Sequence, residues 1–306
     1  TGEAGVAAVR TTAEAAAAAL GCSPREVLVA STGPIGVQLP VEKVTSAIPA
    51  AAAALSSDAT DFAQAILTTD RTTKTARVKR SGYEIVGVAK GAAMLAPNMA
   101  TMLAFIGTDA ALEPALLQQG LSRAVARSFD RVCVDACEST NDSVFLLSSG
   151  RAGVHDPDGF AADLEQLCLD LAEQMVRDAE GGSRLVRIQV VGASDESDGL
   201  ALARGVAASA LWRAALHGSD PNWGRVLAAL GAVQRDLDVS KVDVAIGSHV
   251  VFTAGAPAGS LARAREQMLA DEFTVRCRVG AAETSVEVLT TDLSPEYVTL
   301  NATGTS

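Results

Sequence analysis

Thr101 opens an apolar run, Met102 to Ile106, behind Asn98-Met99-Ala100, with Lys90 and Gly91 eleven and ten residues upstream. Inside a chain, a threonine hydroxyl is a weak nucleophile because no base is attached to it. Were the Ala100–Thr101 bond cut, Thr101 would carry a free α-amine. Its reference pKa of about 7.7–8.0 lets such an amine accept a proton near neutral pH. The amine would be held covalently beside the hydroxyl it must activate, which is the N-terminal threonine route to a nucleophile. The same residues also fit a buried strand in which Thr101 is only a β-branched filler.

Other segments carry groups that would suit such a nucleophile. Ser31-Thr32-Gly33 follows a short apolar run, Val27 to Ala30, and could aim backbone N–H groups at a developing oxyanion. It could equally be an ordinary turn. Lys90-Gly91, at a strand end, could meet a substrate carboxylate or lie as a solvated rim charge. Glu180 precedes Gly181-Gly182 at the end of a helix, where the dipole disfavours an anion. A residue set against local preference hints at function. Gly218 to Arg225 is dense in turn formers around Trp223 and reads as a helix start, with Asp220 as cap and Pro221 in the first turn.

Bulk composition excludes several classes. The chain has 306 residues, 48% hydrophobic and only 4% aromatic, so a large core of small aliphatics is expected. A net charge of −11 disfavours nucleic acid and anionic membrane surfaces. No apolar run reaches membrane-spanning length. Five scattered cysteines and three distant histidines suggest free thiols in a reducing cytosol and no metal cluster. No GxGxxG follows a strand and no GxxxxGK[ST] occurs, so neither a dinucleotide nor a phosphate loop is expected.

The elements that must position these residues mix without a βαβ rhythm. Helices are expected over Ala4 to Leu20, Val41 to Leu55 with a break at Pro49, Pro114 to Ser128, Asp158 to Ala179, Asp198 to Trp212 and Leu261 to Leu269. Strands are expected at Val27 to Ala30, in a hairpin turning at Ser81-Gly82, at Met99 to Ile106, Val132 to Val134, Val144 to Leu147 and Leu185 to Val191, and in the remainder from Val242 to Leu300. The mixture favours a layered α/β sandwich over a doubly wound sheet.

Several of these segments together resemble the ornithine acetyltransferase family of arginine biosynthesis, also called bifunctional glutamate N-acetyltransferase. The matching stretches are Ser31-Thr32-Gly33-x-Ile35-Gly36, Ile66 to Asp70, Ala89 to Gly91, Met94 to Leu103, Ser139 to Asp142, Asp220 to Arg225 and Glu296 to Asn301. They run from end to end in the family's order, and APNMATML and DPNWGR are highly specific. The resemblance implies an αββα sandwich of the self-processing N-terminal-nucleophile type, with a smaller α+β portion. It implies a cut between Ala100 and Thr101, giving an α-fragment within residues 1–100 and a β-fragment over 101–306. Thr101 would be the nucleophile and Thr32 and Gly33 the oxyanion hole. Thr68, Lys90, Thr101, Glu180, Asn301 and Ser306 would contact substrate. The implied reaction moves acetyl from N-acetylornithine to glutamate with no metal or organic cofactor, leaving acetyl-CoA open as another donor. The fragments would pair into a larger homo-oligomer in the cytoplasm. Thr1-Gly2 matches the end of the family's N-A-C-T-G segment, so part of the family's N-terminal region is expected to be missing. An unprocessed, non-catalytic relative and an N-terminal-nucleophile amidohydrolase are the alternatives.

Overall fold

The computed structural model describes residues 2–96, 102–153 and 156–303. The chain begins with α1 (Gly2–Leu20), α2 (Val41–Ala53) and α3 (Thr60–Ala65), then β1 (Lys74–Lys79), β2 (Glu84–Lys90) and β3 (Leu103–Ala110). Next come α4 (Pro114–Arg127), β4 (Ser143–Ala152), α5 (Pro157–Arg177), β5 (Leu185–Val191), α6 (Glu196–Ala208), α7 (Ala210–His217) and α8 (Trp223–Val233). It closes with β6 (Asp243–Ile246), β7 (His249–Thr253), β8 (Ala256–Pro257), α9 (Leu261–Gln267), β9 (Glu272–Arg278), β10 (Ser285–Thr290) and α10 (Pro295–Thr303).

Two mixed sheets form, in the orders β1-β2-β3-β4 and β10-β5-β9-β6-β7-β8. In the first, β1, β2 and β3 are antiparallel while β4 runs parallel to β3. In the second, β5 and β9 are the parallel pair. The expected mixed α/β class with layered helices and sheets therefore holds.

Alternation along each strand decides which face each helix covers. Ile85, Ala89, Ala104 and Ile106 pack with Phe160, Leu164, Leu167 and Leu171 of α5 in one apolar cluster. At Gly87 the helix comes so close that a Cβ would stand 2.7 Å from Leu167 Cδ2 and 2.8 Å from Leu171 Cδ1, so a larger residue would force those side chains to shift. Val88, Lys90, Leu103 and Phe105 alternate onto the other face, where Phe105 meets Phe62 edge to face at 5.0 Å. The second cluster is built on β5, β9 and β10 with α6, α7 and α8, around the fully buried Trp212. The two halves are joined where Cys133 N–H donates to Leu289 O at 2.8 Å.

Some expected elements differ. Val27 to Ala30 joins no sheet among the described residues, and Val132 to Val134 yields only one bridge, Val132 to Leu289. Pro49 does not divide α2, which runs on to Ala53. The helix expected over Asp198 to Trp212 is two helices. Ser209 leaves the helical region at ψ 104 and its hydroxyl caps Trp212 N–H, which starts α7. Asn222, not Asp220, caps α8, with its side chain accepting from Arg225 N–H at 3.3 Å. α10 lies in a stretch expected to hold strands, where Ser294 accepts from Tyr297 N–H at 3.1 Å.

Candidate active site

Lys90 ends β2, directly opposite Leu103 at the start of β3. It is only 2% exposed, and its Nζ donates to Thr68 Oγ1 at 2.7 Å. Its nearest anion is Asp70, with Oδ2 at 3.7 Å. Burial pulls the Lys90 ammonium below its ordinary pKa, while Asp70 and Glu180 act to keep it charged and Lys74 opposes them.

Asp70 organises this end of the sheet. Its side chain is fully buried, and it accepts from Gly91 N–H at 2.6 Å and from Lys74 Nζ at 2.7 Å. Burial pushes its carboxyl up, but Lys74, the Gly91 N–H and Lys90 together hold it below the usual carboxylate range. Lys74, also fully buried, reaches on to Asp178 at 2.6 Å. Asp178 sits at the C-terminal end of α5 and further accepts from Arg71 N–H at 2.9 Å and Thr72 N–H at 3.2 Å. The anions at this helix end are thus met by cations and amides, which offsets the dipole.

Glu180 follows two residues later. Its N–H donates to Ala92 O at 2.8 Å, and Asn301 of α10 donates through Nδ2 to its carboxylate at 2.9 Å. The turn requires Gly181, which has φ +64° and whose Cβ would stand 2.3 Å from Tyr297 N. Thr68, Lys90, Glu180 and Asn301 are therefore gathered around one end of the first sheet, from four segments far apart in sequence.

Thr32 and Gly33 line a cavity of about 530 Å³ with residues of α1 and with Thr140 and Asn141. Asn141 Nδ2 donates to Ser31 O at 3.0 Å, tying that loop to the segment before β4. Thr32 also shares a second cavity, of about 490 Å³, with Thr68, Leu103 and Phe105. The loop is thus connected through that cavity to the Lys90 cluster. Ala100, Thr101 and Ser306 lie outside the described residues.

Sequence reasoning assigned no role to Asp70, Lys74, Asp135, Asp142 or Asp178. Asp70 and Asp142 sit inside the quoted motifs Thr68-Thr69-Asp70 and Ser139-Thr140-Asn141-Asp142, so a signal was present. Asp135 accepts from Met94 N–H at 2.7 Å and Leu95 N–H at 3.0 Å, securing the chain a few residues ahead of Thr101. All five cysteines are free thiols. Among the described residues no cluster of His, Cys, Asp or Glu could hold a metal, and no helix is long and apolar enough to cross a membrane.

The sequence pattern of the ArgJ family matches residues 1–306. Two similar proteins, each named arginine biosynthesis bifunctional protein ArgJ, come from Thermus thermophilus and Streptomyces coelicolor. The first is 42% identical over 302 residues and the second 41% over 304, each spanning 99% of this chain and 79% of the relative. A crystal structure of arginine biosynthesis bifunctional protein argJ from Bacillus halodurans matches with TM-score 0.60 and 30% identity. The match covers 63% of this chain and 95% of the solved chain, which is thus about 200 residues long.

Proposed function

The chain belongs to the ArgJ family, and we propose that it transfers acetyl from N-acetylornithine to glutamate through an acyl-threonine at Thr101. The observation that carries this reading is the gathering of Thr68, Lys90, Glu180 and Asn301 beside the start of β3, where Met102 follows Thr101 directly. A buried cation and a buried anion, each supplied with a polar neighbour, match an amino acid's carboxylate and its cationic amine. Lys90 takes the carboxylate and Glu180 the amine of the ornithine side chain. The Thr101 amine accepts the hydroxyl proton, the hydroxyl attacks the acetyl carbonyl, and Thr32 and Gly33 meet the oxyanion. Ornithine leaves, glutamate takes its place, and the acyl-threonine passes to the glutamate amine. Ser306 completes the substrate contacts.

The enzyme is made as a precursor cut at Ala100–Thr101, which divides the chain into a part that contains residues 1–100 and a part that begins at Thr101. The length of the solved relative supports this. About 200 residues exceeds the 100 that precede Thr101 and is close to the 206 from Thr101 to Ser306. No cofactor is required, and acetyl-CoA is an optional donor. The two parts stay paired within a larger homo-oligomer, in the cytoplasm.

Replacing Thr101 by Ala tests the reading. Cleavage and acetyl transfer are both lost while the unfolding free energy changes by no more than about 1–2 kcal/mol. Acetyl exchange retained in that variant would remove Thr101 from the mechanism. Acetate released without N-acetylglutamate would make the protein a hydrolase instead.

A further inference from the structure

Glu180 sits on a turn that its own residues do little to hold. Gly181 and Gly182 follow it, and glycines bring backbone freedom and no side chain to anchor. On the near side the turn is tied by Glu180 N–H to Ala92 O. On the far side the tie is Ser183. Its N–H donates to Asp292 Oδ1 at 2.8 Å and its hydroxyl to Asp292 Oδ2 at 2.9 Å. Thr291 fills the space beside Gly182, where a Cβ would stand 2.6 Å from the Thr291 Oγ1.

The Asp292 side chain is fully buried, and α7 supplies it with a further partner: His217 Nδ1 lies 2.8 Å from Oδ2. Burial pushes the Asp292 carboxyl up, but Ser183, His217 and Arg184 together hold it below the usual carboxylate range. An ionised carboxylate only accepts, so Nδ1 carries the hydrogen. One turn earlier in α7, the buried Arg213 donates from Nε to Thr291 O at 2.9 Å and from Nη2 to Asp292 O at 3.1 Å. Just after α7, Ser219 is buried in a left-handed conformation at φ +50°, which is costly for a serine, and its Oγ accepts from Arg184 Nη1 at 3.1 Å. α7 is in turn locked to the start of α8, where Arg225 donates through Nη1 to Leu211 O at 2.7 Å. The specific stretch Asp220 to Arg225 thus reaches, through α7, the turn that carries Glu180.

We propose that His217 is a positioning residue for Glu180, acting through Asp292 and Ser183, and so sets the preference for the cationic substrate; the inference rests on Glu180 pairing with the ornithine amine. The chain of hydrogen bonds runs from the His217 Nδ1–H to the Asp292 carboxylate, and the same carboxylate receives the Ser183 N–H and hydroxyl. Without His217 that carboxylate loses the partner that fixes it from α7, and a turn of two glycines loses its fixed far end. Lys90 and Thr68 bond to each other, and Lys90 is paired with Asp70 instead. Recognition of the carboxylate common to N-acetylornithine and glutamate is therefore left as it stands.

The test is a double-mutant cycle on the purified enzyme: native, His217→Ala, Glu180→Gln and the double variant, with His217→Asn as the conservative change. An asparagine keeps an N–H where Nδ1 stood. His217→Ala raises KM for N-acetylornithine about 10-fold, the scale of one lost hydrogen bond to a charged group, while kcat and the KM for glutamate stay within about 2-fold. His217→Asn recovers most of that loss. In the Glu180→Gln background His217→Ala adds less than about 2-fold, because the residue it serves has already lost its charge. A native KM in His217→Ala, equal rises in both KM values, or a full 10-fold added to Glu180→Gln each overturns the proposal. Should His217→Ala not fold, Ser183→Ala takes its place in the same cycle, since it breaks the next bond of the chain, and the same three results overturn the proposal. A Glu180→Gln enzyme that loses both substrates equally refutes the Glu180 reading itself, and the proposal with it.

Discussion

Asp70 is the position where a small change should cost most. Its carboxylate is fully buried between Lys74 at 2.7 Å and Lys90 at 3.7 Å, and it also accepts from Gly91 N–H. In Asp70→Ala, Lys74 keeps Asp178, but Lys90 is left with the Thr68 hydroxyl and the weaker pull of Glu180. Breaking a buried ion pair from one side costs about 3–5 kcal/mol, because the other charge stays buried. The stranded Gly91 N–H adds to this, though not additively. For a chain of 306 residues, each kcal/mol shifts melting by roughly 2 °C, so a fall of about 6–10 °C is expected. Asp70→Asn keeps an acceptor for Gly91 and should fall between. Both variants remove an anion that helps keep Lys90 charged. The Lys90 pKa, already below its ordinary value through burial, drops further, and the alkaline rise in KM for N-acetylornithine moves to lower pH. Thermal melts and KM between pH 7 and pH 9 check both arms. An Asp70→Ala protein melting within about 2 °C of native, with the KM profile unmoved, would refute this account of the buried lysines.

Two further changes probe the far side of the site. Gly181→Ala puts a Cβ where Tyr297 N stands at 2.3 Å, in a left-handed conformation that itself costs about 1–2 kcal/mol, so urea titration should show a loss above that figure. The same variant should raise KM for N-acetylornithine, because it parts Glu180 from Asn301, and an unchanged KM would separate that contact from binding. Glu180→Gln should raise KM for N-acetylornithine more than for glutamate; equal losses would deny Glu180 its pairing with the ornithine amine.

The first sheet was legible because its signals are local. The turn at Ser81-Gly82, the alternation of β2 and the apolar stripe of α5 each depend on residues within a few positions. What escaped depends on distant partners. Val27 to Ala30 has strand composition, but composition supplies no neighbour to complete a ladder. The break at Ser209 lies in a stretch of good helix formers, and only the competing cap on Trp212 N–H reveals it. Glu180 was found as a residue placed oddly for its surroundings, and Lys90 as a charge at a strand end that could meet a carboxylate. Asp70 and Asp142 were not singled out, because an aspartate in a polar tetrapeptide looks like turn chemistry until its partners are known.

The site is assembled from both sides of the bond that processing would break. Thr32, Thr68 and Lys90 precede residue 100, while Glu180 and Asn301 follow it. What joins the two sides does not use that bond. β2 and β3 are paired over six residues, Lys74 reaches Asp178, Tyr83 donates to Asp163 at 2.6 Å, and Asp135 holds Met94 and Leu95. Met102, next to Thr101, has its N–H held by Asp142 and its carbonyl by Ser143. A cut ahead of Thr101 would therefore free an amine while its neighbour Met102 stays fixed to the Asp142-Ser143 segment that opens β4. The constraint lost is covalent, and those that hold the polar groups in place are non-covalent contacts that already exist in the uncut chain. On the proposed reading, a cut there would leave the contacts of Lys90 and Glu180 as they stand in the uncut chain, and would require only one proton moved and one water added at a single peptide bond.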